Sequence, residues 1–211
     1  LEFRRVLFRS GVEESYWGGS VIYPWSAWAT PGTLSVVSSN AGDTGSVIIT
    51  GLDSSFEILE ETVAMNGTTP VITTGTFARI NNMYYNTSGS SNAGNVTASL
   101  GATVVGYITA GFGSAQMAQY TVPAGYTAYV MQGTANMGKG NDGTGYFKYR
   151  LYGHAFQVGI VFLLYQSTFN YQFTSPLMLP EKTDLDVTML AANANTPSSC
   201  AYDIILVQNQ P

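Results

Sequence analysis

The sequence predicts an all-β protein, built as two antiparallel β-sandwich or jelly-roll-like units in tandem with little or no helix. Three observations lead there. Turn signals rich in Gly, Asn, Asp and Ser recur at intervals of about 8–12 residues. Between them lie short runs in which apolar and polar residues alternate, the pattern of a half-buried strand. No stretch sustains the roughly 3.6-residue apolar period of a long amphipathic helix. The chain has 211 residues, so two sandwiches of about 100 residues each fit it.

Leu1 to Ser10 (LEFRRVLFRS) stands apart. It is basic and apolar, with Arg4, Arg5 and Arg9 against Glu2 alone, whereas the remainder is acidic and rich in Gly and Thr. It resembles adapter- or vector-derived sequence and is set aside as non-native; the alternative is a natural basic arm. The first unit is expected over 11–113. It opens with an arm, Tyr16 to Ala29, in which Gly18, Gly19 and Pro24 interrupt regular structure. Strands are expected at Leu34 to Val37, Val47 to Thr50, Val71 to Thr74, Phe77 to Tyr85, Val96 to Leu100 and Thr103 to Thr109. For Phe56 to Met65 a short helix is an alternative, but Thr62-Val63 and Asn66-Gly67 favour a hairpin.

The second unit is expected over 114–211, and it begins with the most legible stretch, Met117 to Met131. Tyr120 and Val122 alternate before Pro123-Ala124-Gly125, and Tyr126, Ala128 and Val130 alternate after it. Pro and Gly at these places specify a tight turn, so the stretch reads as a hairpin. Further strands are expected at Tyr146 to Tyr152, Phe156 to Tyr165, Phe169 to Phe173, Leu177 to Leu179, Leu185 to Ala191 and Ala201 to Val207. Val158 to Tyr165 (VGIVFLLY) is almost continuously apolar, as expected of a strand buried on both faces. One face would meet its own sheet partner and the other a neighbouring domain or subunit.

Composition narrows the function. Only 10% of residues are charged, against about 25% in an ordinary soluble protein. A surface covered by other subunits accounts for this, as does an extracellular β protein. The formal net charge is −5, and the basic residues outside the first ten are scattered, which argues against a nucleic-acid surface. The one cysteine, Cys200, excludes an intrachain disulfide and a Cys-based zinc site, and it reads as a small buried side chain. The apolar run at 158–165 is too short to span a bilayer as a helix, and no stretch has the form of a secretory signal.

No motif carries catalysis, and no catalytic, cofactor-binding or metal-binding residue is expected. His154 is the one histidine, beside Gly153 in a turn, and no Gly-x-Ser-x-Gly elbow accompanies it. Asp184 and Asp186, with Glu181 nearby, form the densest acidic cluster, but calcium needs six to eight oxygens; they read as a solvated strand start. Gly138-Lys139-Gly140 lacks the remainder of a phosphate loop and its helix. Trp17, Trp25 and Trp28 are the candidate contacts for a partner or a glycan, since exposed tryptophans stack on sugars and anchor interfaces. The alternative places them over the end of the first sandwich.

Several stretches, taken in order, resemble a family of virion-associated structural proteins of tailed bacteriophages, especially marine cyanophage-like ones. They are Gly51-Leu52-Asp53, Glu61 to Thr68 (ETVAMNGT), Phe77 to Asn81 (FARIN), Tyr120 to Tyr129 (YTVPAGYTAY), Gly138-Lys139, Pro180 to Asp184 (PEKTD) and Ile204 to Val207 (IILV). Together they cover most of Trp17 to Val207. The resemblance implies a non-enzymatic, β-rich virion component on the capsid surface, as a decoration, or near the neck and tail. It implies self-association as a trimer or higher homo-oligomer and binding to other virion proteins, without nucleic acid, membrane or cofactor. The alternative is a carbohydrate-binding or host-adhesion module.

Overall fold

The computed structural model describes residues 6–9, 11–19, 21–87, 89–138 and 140–210. Among these the chain is all-β, as the periodicity predicts. In order the strands are β1 (Val6–Phe8), β2 (Glu13–Ser15), β3 (Leu34–Ser38), β4 (Ser46–Asp53), β5 (Ile58–Ala64), β6 (Val71–Ile72), β7 (Phe77–Asn86), β8 (Val96–Leu100) and β9 (Thr103–Ile108). They continue with β10 (Tyr120–Thr121), β11 (Tyr126–Met137), β12 (Asp142–Arg150), β13 (Gln157–Tyr165), β14 (Thr168–Leu179), β15 (Asp184–Ala191) and β16 (Thr196–Gln208). One short 3₁₀ turn, Trp25–Ala29, interrupts them. Among the described residues no helix is long and apolar enough to cross a membrane.

The chain divides into two compact units, but not where composition suggested. One is Tyr23–Gln116; the other joins Leu1–Ile22 to Met117–Pro211. The N-terminal residues belong with the C-terminal half because β1 pairs antiparallel with β16 and β2 with β15. Part of the stretch set aside as non-native is therefore built into the fold. Phe8 is fully buried, with its ring edge-on to Tyr16 at 4.7 Å. Arg9 holds the buried carboxylate of Glu14 through its backbone N–H at 3.0 Å and its guanidinium at 2.5 Å. Residues 1–5 and Ser10 of that stretch, and Lys139 of the Gly138-Lys139-Gly140 loop, lie outside the described residues.

The inserted unit, Tyr23–Gln116, has one sheet in the order β6-β3-β8-β9 and another in the order β5-β4-β7. Alternation along the strands sends Leu34, Val36, Val47, Ile49, Met83, Val105 and Ile108 into one core. Gly106 permits the close approach within it, since a Cβ there would stand 2.2 Å from the Met83 sulfur. A buried carboxylate fixes the neighbouring loops. Asp43 accepts hydrogen bonds from the Ser38 hydroxyl and from the N–H groups of Ala93 and Gly94, at 2.5, 2.8 and 2.9 Å. Burial pushes its carboxyl up, but these donors outweigh burial and hold it below its ordinary value.

The split unit has one sheet in the order β1-β16-β11-β14 and a second in the order β10-β15-β12-β13, with β2 also on β15. Residues such as Phe8, Val122, Val130, Phe162, Leu164, Leu179, Leu185 and Tyr202 fill the core between them. The stretch at 117–131 is not a hairpin. Its first arm, β10, pairs with β15, whereas its second, β11, pairs with β14 and β16 in the other sheet. The turn is an arch between sheets. Gly125 takes a positive φ of 75° there, and its N–H donates to Glu181 Oε2 at 2.6 Å. The arms part because Val122 N–H and carbonyl are both taken by the Thr183 and Lys182 backbone. Phe169 to Phe173 and Leu177 to Leu179 are one strand, not two: β14 runs through Pro176 because it is an edge strand, where a missing N–H does little harm.

Candidate functional site

The three tryptophans are divided between the two units. Trp17 belongs to the split unit, and Trp25 and Trp28 to the inserted one. Trp17 and Trp28 are buried, and each indole N–H is satisfied within its own unit, by the Val21 carbonyl at 2.8 Å and the Tyr23 hydroxyl at 3.1 Å. Trp25 is half-buried, with the Arg79 guanidinium 5.8 Å from its ring centre.

The acidic cluster is enclosed rather than solvated. Asp184 and Asp186 are each 3% exposed. Asp184 accepts from Thr121 at 2.6 Å and from the Arg150 guanidinium at 2.5 and 2.9 Å. Asp186 accepts from Ser15 at 3.1 Å and from the Gln119 amide at 2.6 Å. Beside them Glu13 takes the Lys148 ammonium and, at 2.5 Å, the Thr188 hydroxyl. Burial raises the Glu13 carboxyl, yet these two donors hold it below its ordinary value. The carboxylates are committed to neighbours on both sides of β15, which is a structural network and not an open acid–base pair. Among the described residues no group of three or more metal-ligating side chains is placed to hold a metal ion. His154 sits exposed in the turn after β12, its backbone N–H donating to the Leu151 carbonyl.

The surface that stands out is β13. It is the last strand of its sheet, so one side of its backbone has no strand partner. Its inner residues Phe162 and Leu164 are buried, and Ile160 packs against the same core. Its outer residues are not covered. Val158, Val161, Leu163 and Tyr165 are 51, 56, 54 and 65% exposed. A register shift opposite Phe147 and Lys148 resets the alternation at Gly159, which brings Val158 onto the same face as the other three. The expectation of burial on both faces thus fails within the chain: only one face is covered.

No charged residue and no proline lies in Gln157–Tyr165. That sets β13 apart from the edges at β5 and β14; β9 (TVVGYI) is uncharged too, but Val105 and Ile108 on it are buried. β5 carries Glu60 and Glu61, the latter engaged with the Thr74 and Gly75 backbone, and β14 carries Pro176. Edge charges and prolines are the usual protection against strand addition. A second apolar row crosses the opposite sheet, where Met178, Tyr129 and Ile205 stand side by side on β14, β11 and β16 with Met178 and Ile205 exposed. Between the sheets near Phe162 and Phe169 lies an apolar void of about 40 Å³, far below the several hundred Å³ of a small-molecule pocket.

No family model, curated protein or solved structure matches the chain. The reading of function therefore stands on the residues themselves.

Proposed function

We propose that the protein is a non-enzymatic structural component that works by self-association, and that its place is the virion of a tailed bacteriophage. The observation that supports self-association is the uncovered apolar face of β13 on an unprotected sheet edge. Fully burying a Val, Leu or aromatic side chain stabilises by roughly 1.5–3 kcal/mol. Covering the exposed half of four such residues is worth on the order of 1 kcal/mol each on that scale. A second copy approaching about a twofold axis would set apolar on apolar with no charge on β13 itself to desolvate, and would pair both free edges. The row Met178, Tyr129 and Ile205 offers a second, separate face, which assembly beyond a dimer requires.

The virion assignment rests on the ordered set of stretches from Gly51 to Val207 and on the low charge content, both of which suit a chain with much of its surface in contact. Fractionation of purified phage particles tests it. The chain is expected in the particle fraction by mass spectrometry, at many copies per virion. A stable monomer absent from particles would overturn it.

A further inference from the structure

On the face of the sheet formed by β16, β11 and β14, away from the core, lies a shallow polar groove of about 350 Å³. Its side chains form two ranks across three strands. Gln172, Gln132 and Asp203 stand opposite one another in one rank, and Asn170, Thr134 and Ala201 in the next. All but Ala201 are exposed. The alternating neighbours Ala135, Cys200 and Tyr202 point into the core, so these side chains point out of it.

We infer that this groove binds a neutral oligosaccharide. A sugar chain presents hydroxyls that both donate and accept, so its site needs both capacities close together. Gln and Asn amides and the Thr hydroxyl supply both, and Asp203 accepts. The sheet spaces the groups about 4.8 Å apart across strands and about 7 Å along them, a grid rather than a single point. Two internal hydrogen bonds hold it in place: Gln132 Nε2 donates to Asp203 Oδ2 at 2.5 Å, and the Thr134 hydroxyl to Asn170 Oδ1 at 2.7 Å. They leave Gln132 Oε1, the Asn170 amide N–H groups and the second Asp203 oxygen without a hydrogen-bond partner among the described residues. Gln172 makes no side-chain hydrogen bond among the described residues. Ala201 leaves a gap in the second rank where the apolar C–H face of a sugar ring can rest. Asp203 is the one charged group lining the groove among the described residues, in a chain of net charge −5, so uronic acids and sulfated sugars are repelled. A peptide adding as a strand would use the free edge of β14 and not this face. The groove shares no residue with the outer face of β13 or with the three tryptophans.

A glycan array probed with the labelled full chain, followed by titration calorimetry of the best neutral glycan, tests the inference. Glycans of neutral hexoses or N-acetylhexosamines are expected to bind, and their uronic-acid and sulfated counterparts are not. Gln132→Ala and Asn170→Ala, with unchanged thermal melting, should each weaken binding roughly 3–10-fold, the loss of one or two neutral hydrogen bonds. Glu57→Gln, at an exposed residue of the inserted unit, should bind as the parent does. Absence of binding to every neutral glycan, preference for anionic ones, or affinity indifferent to both groove substitutions would overturn it.

Discussion

Strands β13 and β15 flank β12 in one sheet and turn the same face outward, yet they meet solvent in opposite ways. β15 presents Asp184, Asp186 and Thr188 on that face and buries all three; β13 presents Val158, Val161, Leu163 and Tyr165 and leaves each about half exposed. The difference lies in partners. Each polar group of β15 has a hydrogen-bond partner supplied by another part of the chain: Arg150 and Thr121 donate to Asp184, Ser15 and Gln119 donate to Asp186, and Glu13 accepts from Thr188. A buried charge is tolerable when its hydrogen bonds are made. The apolar face of β13 has no such neighbour, and a row of uncharged apolar side chains on a free edge is what an association surface looks like before its partner arrives.

The contrast can be broken at several points. The largest effect is expected at the N-terminal segment, where β1 pairs with β16 in the sheet opposite β15. Phe8→Ala removes a fully buried ring, and should destabilise the protein by about 3–5 kcal/mol in chemical denaturation; a loss below about 1 kcal/mol would mean that β1 does not hold its place. Next is the network itself. Asp184→Ala strips Arg150 and Thr121 of their acceptor and should cost about 3 kcal/mol, the low end for a broken buried pair, because the Arg150 side chain is 24% exposed and regains water. On β13 the expectation reverses. Leu163→Glu should change monomer stability by no more than about 0.5 kcal/mol, as surface substitutions do, while removing self-association.

The smallest effect is a pH dependence at Glu13. Its folded pKa lies below the ordinary 4.5, so it contributes stability that is fully present above that value and is lost as pH falls through the lower folded value. Glu13→Gln should therefore narrow the difference in urea midpoint between pH 7 and pH 3 relative to the parent. An unchanged difference would show that the Lys148 and Thr188 contacts do not form in solution.

Much of the fold was legible in the residues. Tyr126, Ala128 and Val130 alternate with Thr127 and Tyr129, and that pattern alone sends Ala128 and Val130 to one buried face. The fate of β15 was not legible, because Asp184-Leu-Asp-Val-Thr-Met reads as a strand with one wet face. The groups that satisfy that face include Ser15 and Glu13, which are distant in sequence and lie in the stretch at 11–113 that composition assigned to the other unit. The arch at 120–130 was misread for a related reason: Pro123 and Gly125 specify a turn, but a turn says nothing about whether its arms pair with each other or with two different sheets. The apolar run at 158–165 was recognised as unusual, and its second face was assigned to a domain or subunit. Within the chain that face stays open, which moves the weight to a subunit. The groove at Gln132, Asn170 and Asp203 was invisible, since no local pattern marks three polar residues on strands so far apart in sequence.

The central claim is that the outer face of β13 joins copies of this chain. Sedimentation velocity of the full chain across a concentration series, beside Leu163→Glu at the same concentrations, tests it most directly. The account predicts a dimer or larger species for the parent and a folded monomer for the variant. A parent that sediments as a monomer at every concentration, or a variant that associates as the parent does, would contradict it.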